Sequence, residues 1–219
     1  MVSAELLLTV GGLAVLDMLS PATLGVTVYL LLTEKERLGS RLMIYLFTVA
    51  AFYFIVGVAF MLGLDVLLAV FSSILQNRIV SWMMMIVGVL LFIASFYYPK
   101  SKKSDLPRPK SKSKASMIAL GFTTSIIEVG LAFPYFAAIG LMSTSHLAVY
   151  QWLPILAGYN LMMVLPPFIV FTLHLWLGRV MQRPLERLRI KLSKNSGSAI
   201  SWMMSIVGLI LIFNSLDYL

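Results

Sequence analysis

The sequence predicts an all-α integral membrane protein of six transmembrane helices, arranged as two inverted three-helix repeats. Three observations lead there. Of 219 residues, 60% are hydrophobic and 12% charged, whereas a soluble domain is nearer half apolar and a quarter charged. The apolar residues gather into six runs, roughly 4–32, 42–64, 79–98, 116–142, 152–175 and 199–219, each close to the ~20 residues that a helical span requires. The third observation is a pattern that occurs twice: an acid in the middle of an apolar run, followed by a proline. Asp17 and Pro21 form it in GGLAVLDMLSPATLGVTVY, and Glu128 and Pro134 form it in TSIIEVGLAFPYFAAIG.

Continuous apolar runs exclude a transmembrane barrel, whose strands are segments of about 10 residues with alternating hydrophobicity. The first run has no positive n-region, carries Glu5 and is too long for an h-region, so it reads as a span and not as a signal peptide. With no cysteine in the chain, disulfides, thiol redox chemistry and thiolate-bound metals are excluded.

The net charge of +8 reads as topology and not as a nucleic-acid footprint. Sixteen of the seventeen Lys and Arg fall in alternate loops: Lys35, Arg37 and Arg41 in the first, seven between Lys100 and Lys114 in the third, and six between Arg179 and Lys194 in the fifth. Arg78 stands apart. The positive-inside rule puts those loops in the cytoplasm and both termini outside.

In the first span, Gly11 and Gly12 permit close helix packing, and Ser20-Pro21 interrupts the helix because the residue before proline avoids the α region. Ser20 and Thr23 can bond the backbone groups so freed. Thr33 to Arg41 is a short loop. The second span is uncharged and contains Tyr45 and Tyr53. Residues 64–78 repeat apolar positions at helical spacing and read as a short outer helix or as an extension of the neighbouring spans. The third span ends at Tyr97 and Tyr98, an interfacial aromatic pair. Residues 99–115, rich in Lys, Ser and Pro, form a basic cytoplasmic linker with too little apolar content to fold. It separates a first repeat, 1–98, from a second, 116–219. The fifth span carries Pro154, Asn160, Pro166 and Pro167 and is expected to be bent or broken. In 179–198, Leu185, Leu188 and Leu192 recur at helical spacing between Arg and Lys. That is a basic amphipathic segment for the inner lipid surface, or else a solvated loop whose charges fix topology.

The repeat is visible at residue level. SWMMMIVGVLLFIASFYY (81–98) and SWMMSIVGLILIFNSLDY (201–218) agree at 10 of 18 positions without a gap, including Trp82/Trp202, Gly88/Gly208, Ser81/Ser201, Ser95/Ser215 and Tyr98/Tyr218. Span 3 therefore pairs with span 6, and span 1 with span 4. Because each half has an odd number of spans, the second inserts upside down. In inverted-repeat transporters the site lies near the midplane at discontinuous helices, which here means Asp17 and Glu128.

A carboxylate at bilayer depth is a functional hypothesis by default. Asp17 and Glu128 are thus candidate proton, cation or substrate sites, and hydrogen-bonded packing is the plainer alternative. Ser20, Pro21, Thr23, Pro134 and Asn160 complete the candidate set. The prolines are hinges or half-helix breaks, or else static kinks. Asn160 lines the path or bonds between helices. His146 and His174 lack metal-ligand spacing, and the methionines at 83–85, 203 and 204 read as apolar packing.

DMLSPATLG in the first span, the six spans, the basic central loop and the two three-span halves together resemble the lysine-exporter superfamily. Within it the chain is similar to the branch of proteins that address glycopeptidolipid or sulfolipid to the cell surface. That resemblance implies a bacterial inner-membrane protein exporting a metabolite or lipid. The superfamily's thiol-disulfide electron carriers need a cysteine pair beside the helix-breaking prolines, and this chain has none.

The expectation is therefore a secondary transporter of a lipid or lipid-linked metabolite, with the two acids coupling protons or substrate to alternating access. An exporter of a small amino acid or cation is the near alternative. A non-transporting scaffold for a lipid-synthesis or secretion complex is the alternative from another class. No enzyme motif such as HExxH or a nucleophile–base pair stands out, and no cofactor is expected. The expected partners are membrane lipids and the substrate, and the small size is compatible with a homodimer.

Overall fold

The computed structural model describes residues 2–18, 20–33, 38–75, 78–97, 113–130 and 132–216. All secondary structure among them is helical. The helices are α1 (Ala4–Asp17), α2 (Pro21–Thr33), α3 (Leu38–Leu75), α4 (Arg78–Tyr97), α5 (Lys114–Val129), α6 (Phe133–Thr144), α7 (Val149–Leu177) and α8 (Gln182–Leu216), with a 3₁₀ turn, Gly178–Met181, before the last. The order within each half is the same: a short pair, then two longer helices.

The two short pairs are the interrupted runs. Between α1 and α2 the axis turns by 48°, and between α5 and α6 by 74°. Pro21 occupies the first position of α2, where its missing N–H is one that no helix could pair and its fixed φ suits the helix. Pro134 sits in the first turn of α6 in the same way. Both prolines therefore start a new helix and do not kink an old one.

Among the described residues, three helical stretches are long and apolar enough to cross a membrane: Leu38–Leu64, Val80–Tyr97 and Val149–Leu177. Counting each bent pair as one gives five, and α8 adds a shorter apolar stretch, Met204–Phe213. Residues 65–75 continue α3 as one helix, the second of the two expected arrangements. Much of the apolar surface is turned outward, as in Leu8, Phe47, Tyr97 and Trp176, which suits helices bathed in lipid.

Two expectations are corrected. The fifth span is not broken: it is one uninterrupted helix despite Pro154, Pro166 and Pro167. Its buried stripe, Leu156, Asn160, Met163, Pro167 and Phe171, runs across the proline pair, so packing on both sides holds the helical path that two missing N–H groups weaken. The basic segment 179–198 is not a solvated loop. It belongs to the 3₁₀ turn and to α8, continuous with the sixth apolar run. Leu185 is fully buried in the protein core, with Met181 and Leu188 packed beside it. Arg183 and Arg187 point outward, and the Arg189 guanidinium lies 5.9 Å from the centre of the Tyr29 ring, within cation–π range. Gly178, at φ +52°, ends α7 in a conformation that favours glycine. The loop residues 34–37 and nearly all of the expected linker, 99–112, lie outside the described residues.

The chain divides into two compact units. The larger comprises residues 1–61 and 105–193. In it α1 packs against α6 and α7, and α2 against α5 and α7. Close approach depends on glycine at one contact: a Cβ on Gly121 would lie 2.9 Å from Thr48 Cβ and 3.1 Å from the Tyr45 carbonyl oxygen. The smaller unit comprises residues 62–104 and 194–219. Its seam is made by the matched residues of the repeat. Ser81, Ser95, Ser201 and Ser215 are buried, as are Gly88 and Gly208. They recur every seven residues, so they share one stripe of each helix. A Cβ on Gly88 would come within 2.9 Å of the Gly208 carbonyl oxygen, and one on Gly208 within 2.8 Å of that of Gly88. The two residues equated by the sequence match meet each other across the seam, while Trp82, Met83 and Ile86 are exposed.

Candidate functional site

Glu128 is the penultimate residue of α5. A carboxylate in the last turn is disfavoured by the negative end of its own helix dipole. Here it is directed at the positive end of another helix. Ser20 Oγ and the Ala22 and Thr23 N–H groups all donate to Glu128 Oε1, the two backbone donors from 3.3 and 3.4 Å. Thr23 Oγ1 donates to Oε2 at 2.5 Å. The N–H distances are long, so the two hydroxyls carry the tighter bonds.

These donors follow from the local sequence. Ser20 precedes α2 in the N-cap position, and its carbonyl accepts from the Leu24 N–H at 3.1 Å. An N-cap serine ordinarily accepts a bond from its own helix. Ser20 instead donates to Glu128, and Glu128 takes the exposed N–H groups that the serine would have capped. Pro21 contributes no N–H, so the first free donors are Ala22 and Thr23. The three side chains are almost wholly buried: Thr23 is 0% exposed, Glu128 4% and Ser20 7%.

Asp17 ends α1 and is half-buried. Its Oδ2 accepts from the Tyr159 hydroxyl at 3.2 Å, and the same hydroxyl lies 3.3 Å from the Leu13 carbonyl oxygen. From Tyr159 a line of aromatic contacts leads inward. Tyr159 and Tyr135 have ring centres 5.3 Å apart, and Tyr135 and Tyr53 are also 5.3 Å apart, edge to face. The Tyr135 hydroxyl donates to the Tyr53 carbonyl oxygen at 2.5 Å. Tyr45, fully buried on α3, lies beside Thr23 and Thr124 and within the field of Glu128.

The structure therefore brings Ser20, Pro21, Thr23 and Glu128 together, with Asp17 at the end of α1, on the other side of the first helix break. Asn160 is buried on α7 next to Tyr135. Its Nδ2 donates to the Leu156 carbonyl oxygen of its own helix at 2.9 Å, and its Oδ1 has no partner. Pro134 only starts α6.

Sequence reasoning missed the tyrosines. Tyrosine in a membrane span is ordinarily an interfacial anchor. Tyr53 is instead mid-span, and Tyr45 lies eight residues before it, about the spacing that puts both on one helix face. Tyr159 adjoins Asn160. Those placements were the available signal.

The arrangement is a set of donors closed around one buried carboxylate beside the first helix break, with a second acid on a tyrosine chain. Comparison with curated proteins and with solved structures returns no match. The family described as Sap, sulfolipid-1-addressing protein, matches residues 10–217. That span takes in both helix breaks, both acids and nearly all of the repeat, and the chain belongs to the sulfolipid-1-addressing protein family.

Proposed function

We propose that this chain is a secondary transporter that exports a lipid or lipid-linked metabolite across, or out of the inner leaflet of, a bacterial inner membrane. In this reading it has six spans as two inverted repeats, with its basic loops in the cytoplasm and both termini outside. Asp17 and Glu128 couple proton or substrate binding to alternating access. Membrane lipids are its surroundings and its cargo. The lysine-exporter superfamily is the wider group to which this architecture is similar.

One observation carries the reading. Glu128, beside the break in the second half, is bound by the first turn of α2, beside the break in the first half. Discontinuous helices meeting at an ionisable group are the arrangement on which alternating access operates. The matched Gly88–Gly208 seam supports the repeat, and the family supports a lipid-related role. A small cation is the weaker cargo, because the groups around Glu128 are donors at a helix N-terminus.

The test is lipid and metabolite analysis of inner and outer compartments in cells with and without the protein, with Asp17→Asn and Glu128→Gln alongside. One lipid class should move outward with the native chain and stay inside with either amide variant. Native-like distribution in both variants would remove the acids from the mechanism and turn attention to a scaffolding role.

A further inference from the structure

The polar groups around the first turn of α2 outnumber those that Glu128 satisfies. Tyr45 is 0% exposed, and its hydroxyl, set among the Thr23 and Thr124 side chains, makes no well-formed hydrogen bond. A buried hydroxyl without a well-formed bond carries a free-energy cost, and such a group next to a set of donors points to an occupant larger than one carboxylate. Ser125, on α5 one turn before Glu128, is also fully buried with an unpartnered hydroxyl. The donors have one sign. Ser20 Oγ, Thr23 Oγ1 and the Ala22 and Thr23 N–H groups all point protons at Glu128, at the positive end of a thirteen-residue helix. The backbone N–H groups and the helix end favour an oxyanion, and the two hydroxyls can donate to it.

We propose that the first turn of α2 is an oxyanion-binding site, occupied here by Glu128, from which the carboxylate, sulfate or phosphate of an incoming molecule displaces it. Glu128 is an intramolecular competitor. It satisfies the donors while the site is empty, so the helix end is never left unpaired in an apolar core. An oxyanion on the cargo takes over Ser20 and Thr23, recruits Tyr45 as a further donor, and frees α5 from α2. Asp17, at the end of α1, accepts instead from the Tyr159 hydroxyl. In the transporter reading, on which this consequence rests, the exchange of anions is the event that unties the two broken helices. The binding itself can be measured without transport.

The experiment uses the full chain in detergent. Glu128→Ala vacates the donors, and sodium acetate is titrated against sodium chloride at equal ionic strength while thermal unfolding is followed. Acetate should raise the unfolding midpoint of Glu128→Ala saturably by a few degrees, as a ligand of the native state does. Adding Thr23→Val should abolish the rise. Equal effects of acetate and chloride, or an undiminished rise in the double variant, would overturn the proposal. Should Glu128→Ala fail to fold, Glu128→Gln decides. Its neutral amide competes less well for the donors, so radiolabelled sulfate and a short-chain phosphatidic acid are titrated onto it and onto the native chain. At least one should bind roughly tenfold more tightly to the variant, which corresponds to the loss of one good charged hydrogen bond. Tighter sulfate binding marks a free-anion site, and tighter binding of the lipid alone marks a head-group site. Unchanged affinity for both would overturn the proposal, while the lipid-export measurement stands or falls separately.

Discussion

Thr23 and Glu128 are 105 residues apart in the chain, and the hydroxyl of the first donates to the carboxylate of the second at 2.5 Å. Each closes a defect in the other's helix. Glu128 caps the free N–H groups of α2, and the start of α2 neutralises an acid placed at the wrong end of α5.

Removing this tie should destabilise the protein in a graded order. Thr23→Val keeps the shape and deletes the hydroxyl, and should cost about 2 kcal/mol, the scale of a hydrogen bond to a charged group. Thr23→Ser should recover most of it. Ser20→Ala should fall in the same range. Thermal unfolding in one detergent checks the order, and a Thr23→Val chain as stable as Thr23→Ser would show that the bond contributes nothing.

Tyr159 and Asp17 should behave as a pair. Tyr159→Phe removes the donor to Asp17, and Asp17→Asn removes its charge. A double-mutant cycle on stability should give a coupling of about 1 kcal/mol. If the two single effects simply add, the residues act independently.

The seam of the smaller unit should be intolerant of any side chain. Gly88→Ala and Gly208→Ala each drive a methyl against the opposing backbone, and such overpacking costs typically 1–3 kcal/mol. Met83→Ala, at an exposed position, should cost much less. Unfolding midpoints of the three variants make the comparison.

The basic segment offers a contrast along one helix. Leu185→Asp buries a charge in the core and should abolish folding or accumulation. Arg183→Ala, on the outer face, should leave both within about 0.5 kcal/mol of the native chain. Expression level and monodispersity in detergent report the difference, and equal behaviour would mean that Leu185 is not packed in the core.

Orientation is accessible because the native chain has no cysteine. Ser3→Cys should react with an impermeant maleimide from outside intact spheroplasts, and Ser113→Cys only after lysis. The reverse pattern would overturn the reading of the basic loops.

Much of this protein was legible in one dimension. Apolar run length determined the helical class, because an apolar stretch in lipid must satisfy its own backbone bonds. Asp17-Pro21 and Glu128-Pro134 marked the two breaks, since proline fixes where a helix can begin. The match between 81–98 and 201–218 identified Gly88 and Gly208 as equivalents before their contact was seen. Tertiary structure decided the remainder. Pro166 and Pro167 left α7 unbroken because a buried stripe on both sides of them outweighs local propensity. Leu185 and Leu188 marked an apolar face, but only packing decided that Leu185 lies in the protein core. The partners of Glu128 could not be read from spacing, because Ser20 and Thr23 lie more than a hundred residues away, at the start of another helix. A linear pattern records where a charge lies along its own helix. Which helix end is close enough to neutralise that charge is set by how the helices pack.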